Sequence, residues 1–275
     1  MTDLKDVQLS PVARTLLIPL AFRAAESQRP DSILHDEQAL ELARRLGPDC
    51  LPQINQKDMD YTATLMRARQ FDRFGRNFLE ACPAGMVVDV GCGLDTRFGR
   101  IDNGLMCWVG VDLPEVIELR RSLLPEMPRT CLIGRSALDF AWMDEVTPPA
   151  IFLAEGLLVY FFEEDVRRLV LELRRRFPGC ELVFDALSRG SIRIHRLLSH
   201  NTEMRAAALQ VHWGLDESDG LEAWGPDIKL LEEWRYFDHA EPRLSRYNWM
   251  RHIRFLARAN VVLRYRLGRY TKGDL

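Results

Sequence analysis

Two glycines separated by one residue, Gly91 and Gly93, close the apolar run Val87-Val88-Asp89-Val90, and about twenty residues later a second apolar run, Trp108-Val109-Gly110-Val111, ends in Asp112. Glycine lets a chain leaving a buried strand tip turn sharply, and lets the main chain approach a ligand closely. A carboxylate at the end of the following strand can accept hydrogen bonds from both hydroxyls of a ribose. The chemistry served by this spacing is nucleotide binding.

Two cofactor classes fit such a turn. A dinucleotide enzyme uses a third glycine to bring a helix close under a pyrophosphate, and here that position is Thr96. Asp89 before the turn and Asp95 after it would also place negative charge beside the phosphates, against the preference of helix N-termini for anions. S-adenosylmethionine (SAM) has no phosphate and carries a sulfonium, an ammonium and a carboxylate. Asp89 and Asp95 suit its positive groups or the turn itself, and Asp112 suits its ribose.

Other chemistries find little support. The six histidines show no metal spacing such as H-E-x-x-H, so no metal site is expected. G-x-S-x-G is absent, which leaves no hydrolase nucleophile signature.

These residues need a scaffold, and the apolar periodicity supplies one. Residues 11–80 read as helices without a convincing strand, over 12–25, 36–46 and about 60–79. From residue 86 short apolar strands (87–90, 107–111, 131–133, 150–154 and 181–186) alternate with helices over 94–101, 113–124 and 163–177. That alternation predicts a parallel, doubly wound sheet. The last of those helices begins with Glu163-Glu164-Asp165 and ends in Arg174-Arg175-Arg176, as the helix dipole favours. Beyond it we read a helix over 191–210, helices over 227–233 and 246–259, and strands over 234–237 and 261–267 as a terminal antiparallel pair. The expected organisation is an N-terminal helical cap (1–80) and a core (81–275) with a seven-stranded, mostly parallel sheet and a substrate-side insertion at about 188–226.

At 275 residues, with a formal net charge of −3, the chain has no global attraction for nucleic acid or anionic lipid. Its six cysteines form no C-x-x-C pair. No secretory signal pattern and no run of about 18–20 apolar residues is visible, so the expectation is a cytoplasmic protein with reduced thiols and no membrane span. Oligomeric state is left open.

The stretches VVDVGCGLDTRFGR, VGVDLPEVIELRRSLLP, FLAEGLLVYF and LVFDALS resemble the successive motifs of the leucine carboxyl methyltransferase family, G-x-G-L-D-T-R being the most specific. The resemblance is closer to its bacterial branch, which includes the tetracenomycin-type polyketide O-methyltransferases, and covers about residues 11–190. It implies a class I SAM-dependent methyltransferase, a Rossmann-like α/β fold, with SAM as cofactor and S-adenosylhomocysteine (SAH) as product. By the same resemblance Gly91 and Gly93 face the cofactor with Asp89, and Asp112 holds the ribose beside Leu113. Ser136 and Asp139 lie where the family contacts adenine, and Glu155 matches an acid near the methionine moiety. The segment LMRARQFD resembles the family's R-T-R-x-x-D, which puts Arg67 on the cofactor carboxylate with Arg23 as a second cation; Ala68 and Gln70 depart from the pattern. Arg69 reads as structural, pairing with Asp72.

Glu155 follows an apolar run at a strand end, where a carboxylate needs a partner. Tyr160-Phe161-Phe162 could be core, or could flank the sulfonium or the acceptor, with Tyr160 the acceptor-side candidate. The expected function is methyl transfer to a carboxylate or hydroxyl of a small aromatic or polyketide-like molecule. A carboxylate is ionised at pH 7 and needs no general base, whereas a phenol needs one. Acceptor contacts are expected from the cap and from the insertion carrying His195, His200, His212, Trp213 and Trp224. The alternatives are a nicotinamide-dependent oxidoreductase, a methyltransferase acting on a protein C-terminal carboxyl or a tRNA base, and a binding protein retaining the fold without catalysis.

Overall fold

In the computed structural model, which describes residues 11–198 and 210–269, a single helical turn, Pro11–Arg14, and three longer helices precede the sheet: α1 (Leu17–Glu26), α2 (Glu37–Leu46) and α3 (Met59–Ala81). Then β1 (Met86–Val90), α4 (Arg97–Ile101), β2 (Cys107–Asp112), α5 (Pro114–Leu123), β3 (Thr130–Gly134) and β4 (Ala150–Ala154) follow in alternation. The chain continues through α6 (Glu163–Arg176), β5 (Cys180–Leu187), α7 (Arg189–Leu198), β6 (Ile228–Arg235) and β7 (Asn260–Leu267).

The sheet has seven strands in the order β3-β2-β1-β4-β5-β7-β6. β1 to β5 pair in parallel, and β7 enters antiparallel between β5 and β6. Successive strand residues point to opposite faces, so each strand feeds two cores. Val88, Phe152 and Phe184 join α6 on one face, whereas Val87, Ile151 and Val183 pack against Phe71, Phe74 and Phe78 of α3 on the other. Helix α3 thus serves two ends: its last turns sit in the sheet core and its first turns face the functional cavity.

The C-terminal third departs from the sequence reading. Residues 228–233 lie within strand β6, not in a helix, and Asp227 is in the turn before it. β6 is an edge strand with an irregular register between Leu230 and Glu232, and its outward charged residues disguise the two-residue period. The strand expected over 234–237 ends at Arg235, and Tyr236–Asp238 is a 3₁₀ turn. Instead of one helix over 246–259 there is a 3₁₀ stretch, Pro242–His252, and a short helix, Arg254–Ala257. That stretch packs Leu244, Tyr247 and Met250, three residues apart, against the core that α3 shares, and polar contacts add to the tie, Arg243 to Glu26 (2.8 Å) and Arg246 to the Lys57 carbonyl (3.0 Å). Helix α4 begins at Arg97, three residues later than expected, because residues 94–96 form the turn whose Asp95 carboxylate accepts the Arg97 N–H at 2.9 Å. The end of the helix expected over 191–210 lies outside the described residues.

Candidate functional site

The strand order reverses between β1 and β4, and ligands of open α/β sheets bind in the crevice beyond the carboxyl ends of strands at such a point. A cavity of about 480 Å³ occupies it, closed above by α1 and the start of α3. The glycine turn forms its floor. Gly91 and Gly93 have φ of +76° and +45°, a region that residues with a Cβ rarely enter. A Cβ at Gly91 would also lie 2.9 Å from the Leu157 side chain. The N–H groups of Gly91 and Cys92 both donate to the Val111 carbonyl, and Arg120 from α5 donates to the Gly93 carbonyl at 2.9 Å, which locks the turn against β2.

Asp112 stands where β2 ends. One of its oxygens accepts the Gly93 N–H and the other the Leu113 N–H, each at 2.7 Å. Burial pushes its carboxyl above the usual range, and those two N–H groups only partly offset the effect. Each oxygen keeps a lone-pair direction for a further donor. A rigid, twice-anchored acceptor pair is what a ribose diol requires.

Across the cavity, charge is densely paired. Arg97, 1% exposed, is the centre: its guanidinium reaches Asp72 (3.0 Å), Asp89 (2.6 Å), Asp95 (2.8 Å) and Glu155 (2.5 Å). Arg100 holds Asp36, Asp72 and Asp95, and Arg23 holds Asp36. Arg67 donates through Nε to Glu155 at 3.0 Å and through Nη1 to Asp185 at 2.9 Å. The linked cluster contains six carboxylates and four guanidiniums. Burial alone would raise the Asp95 carboxyl, but Arg97 and Arg100 override it and hold it well below the usual range. Burial wins at Asp89, whose carboxyl is pushed up despite Arg97.

The surplus of acid over base decides what the cavity can hold. SAM, with two positive groups and one negative, carries net charge +1 and complements it; a pyrophosphate would add negative charge to a site already negative. The residues fit the sulfonium cofactor, and the dinucleotide alternative is set aside on the same ground.

The cavity brings together Arg23, Arg67, Asp89, Gly91, Gly93, Asp112, Leu113, Ser136, Glu155 and Tyr160. Asp139 is not among its walls; it is exposed, pairs with Arg135 at 2.6 Å and caps the 3₁₀ turn that follows. Asp89 touches the cavity, but its two oxygens are engaged by Arg97 and by the Trp108 indole N–H (3.0 Å), so it serves the turn. Arg23 is likewise engaged, by Asp36 at 3.0 Å and the Leu94 carbonyl at 2.9 Å. Asp72 is held by Arg97 and Arg100 rather than by Arg69, which is exposed. The departure at Gln70 leaves a trace, since its Nε2 is buried without a hydrogen-bond partner.

Four further residues line the cavity without having been singled out by the sequence: Arg97, Asp185, Tyr236 and Asn260. Arg97 and Asp185 stood inside quoted motifs, and the signal for both was an ionisable residue inside or beside an apolar run. Tyr236 and Asn260 come from the two ends of the long connection between β6 and β7, Tyr236 just after β6 and Asn260 at the first position of β7. Of the described part of the insertion, Val211 lines the cavity. Trp213 packs in the core against Phe184, and His212 is exposed and stacked on Phe162 at 4.4 Å. Trp224 also packs against that core; the His195 side chain and His200 lie outside the described residues. Among the described residues no histidine lines the cavity, and no group of His, Cys, Asp and Glu is placed to hold a metal. No described helix is long and apolar enough to cross a membrane.

Comparison with known proteins bears on this arrangement. The family model described as leucine carboxyl methyltransferase matches residues 17–173. The tetracenomycin polyketide synthesis O-methyltransferase TcmP of Streptomyces glaucescens is 33% identical over 84% of this chain and 86% of its own. The S-adenosyl-L-methionine-dependent methyltransferase dpfgK of Gibberella zeae is 28% identical over 90% of both chains. Among solved structures, the plantazolicin methyltransferase BpumL in complex with SAH shares the fold, with a TM-score of 0.53 at 14% identity over 94% of this chain and 98% of that one.

Proposed function

This chain belongs to the leucine carboxyl methyltransferase family and is a SAM-dependent methyltransferase, and from that premise we propose that it methylates an oxygen, in the first place a carboxylate, of a small aromatic or polyketide-like molecule. One observation carries the reading: the cavity that holds Asp112 and Glu155 is also lined by four aromatic residues, Phe22, Tyr160, Phe161 and Tyr236. Flat apolar walls with a few polar groups suit an aromatic acceptor of small-molecule size. The TcmP relative, named for a polyketide pathway, points the same way.

When bound, SAM supplies the electrophile, a methyl group on a positively charged sulfur. The chain supplies position and surroundings. Asp112 would hold the ribose hydroxyls, with Leu113 and Ser136 flanking the nucleoside. Gly91 and Gly93 leave room for the cofactor above the turn. Arg67, partly buried and kept charged against desolvation by Asp185 and Glu155, would meet the cofactor carboxylate with its remaining N–H groups, a task suited to the arginine fork. The apolar part of the lining, with Leu16, Ile18 and Leu157, would limit water around the reacting oxygen and help to align it.

The two tyrosines argue for a carboxylate. Burial pushes the phenols of Tyr160 and Tyr236 up from their ordinary value, so at neutral pH both are donors and neither is a base. A carboxylate is already the nucleophile and needs only to be oriented. The test is transfer of labelled methyl from SAM to a panel of aromatic carboxylic acids, phenols and peptides. We expect label on an aromatic acid, released by mild alkali as an ester should be. Alkali-stable label on phenols, or label on peptides alone, overturns the assignment.

A further inference from the structure

Val183 of β5 packs with Phe71, Phe74 and Phe78 of α3. Asp185, two residues on, leaves the same face of the strand, and Arg67 lies one helical turn before Phe71. Where this interface reaches the cavity, a carboxylate and a guanidinium take the places that apolar side chains hold further in. Replacing a buried ion pair by well-packed apolar side chains is often neutral or stabilising, so stability alone does not call for this one.

The geometry supplies another reason. Asp185 is 3% exposed, and its two oxygens have separate partners: Oδ2 accepts from Arg67 Nη1 at 2.9 Å, and Oδ1 accepts from the Gly156 N–H at 2.5 Å. Gly156 follows Glu155, which accepts from Arg67 Nε at 3.0 Å and whose second oxygen is taken by Arg97. The φ of Gly156 is +64°, and a Cβ there would lie 3.4 Å from Arg67 Nη2. Nη2 itself has no acceptor among the described residues, yet it is not buried out of reach. Resting on the reading that Arg67 meets the cofactor carboxylate, we infer that Asp185 is a positioning residue for the cofactor: by joining Arg67 to the Gly156 turn it aims Nη2 at that carboxylate. A guanidinium held only through Nε can swing, whereas a second contact through Nη1 fixes its plane. An asparagine here has one acceptor oxygen and an amide that cannot accept, so it keeps Gly156 or Arg67 but not both.

Titration calorimetry on the full chain tests this with two probes, SAH and its decarboxylated analogue, which keeps the ammonium and lacks the carboxylate. Asp185→Asn is expected to bind SAH at least about tenfold more weakly than the wild-type protein, and the analogue within about threefold of it. In an Arg67→Ala background the same substitution should change SAH affinity by less than about threefold, because the residue through which it acts is gone. Gly156→Ala, which crowds the guanidinium from the other side, should show the same selective loss, and it decides the matter should Asp185→Asn not fold. Equal losses for the two probes, unchanged SAH affinity, or a loss that persists without Arg67 would overturn the inference. Equal SAH affinity in the wild-type protein and Arg67→Ala would instead remove the Arg67 reading, and the inference with it.

Discussion

The guanidinium of Arg97 and the carboxylate of Glu155 meet at 2.5 Å, and that contact joins the turn after β1 to the end of β4 across the point where the sheet reverses its order. Arg97 is buried and also engages Asp72, Asp89 and Asp95. Its removal leaves carboxylates without their counter-charge in a low-dielectric interior. Arg97→Met should therefore destabilise the fold by about 3–5 kcal/mol, measured by urea unfolding. The control Arg175→Met, at an exposed pair with Glu172, should change stability by less than about 0.5 kcal/mol. Similar effects of the two substitutions would show that the buried network contributes nothing special.

Asp112→Ala should weaken SAM binding at least about tenfold, since two hydrogen bonds to a charged acceptor are lost. Asp112→Asn, which keeps one carbonyl oxygen, should fall between. Calorimetric titration of both variants decides it, and unchanged affinity in the folded proteins would remove Asp112 from the cofactor site.

Arg67 gives a sharper test of geometry than of charge. Arg67→Lys retains the cation but cannot keep Glu155, Asp185 and a ligand carboxylate in one planar fork. We expect Arg67→Ala and Arg67→Lys each to lose at least about tenfold in SAM affinity. Full rescue by lysine would reduce the residue to a point charge.

The ion pairs should also show in the acid stability of the protein. Burial alone would raise the Asp36 carboxyl, yet Arg100 and Arg23 hold it below its ordinary value. A depressed folded-state value means that the contribution is complete above the unfolded value of about 3.9 and is lost as pH falls through the lower, folded one. The stability gap between the wild-type protein and Asp36→Asn should thus be constant from pH 7 to about 5 and narrow below about 4. A gap that widens on acidification would reverse the assigned sign.

How much of this was legible in the sequence follows from the range of each signal. The first five strands and the glycine turn are local: a short apolar run, a turn that needs positive φ, and an acid after the next run all lie within about twenty residues. Asp112 was legible for that reason. Arg97 stood in a quoted motif, but nothing local says that an arginine will be buried among four carboxylates, one of which, Asp72, lies on α3. Tyr236 and Asn260 were illegible for a topological reason. They reach the cavity only because β7 inserts antiparallel between β5 and β6, and the charged edge strand β6 hid its own period. Within the described part of the insertion, Trp213 serves packing against Phe184, and it is Val211, a residue with no chemical signal of its own, that lines the cavity.

The most direct test of the account is a paired titration of SAM and NAD into the wild-type protein and into Asp112→Ala. The account predicts one SAM bound per chain, no detectable NAD, and at least about a tenfold loss of SAM affinity in the variant. Binding of NAD in preference to SAM, or SAM binding indifferent to Asp112, would contradict it.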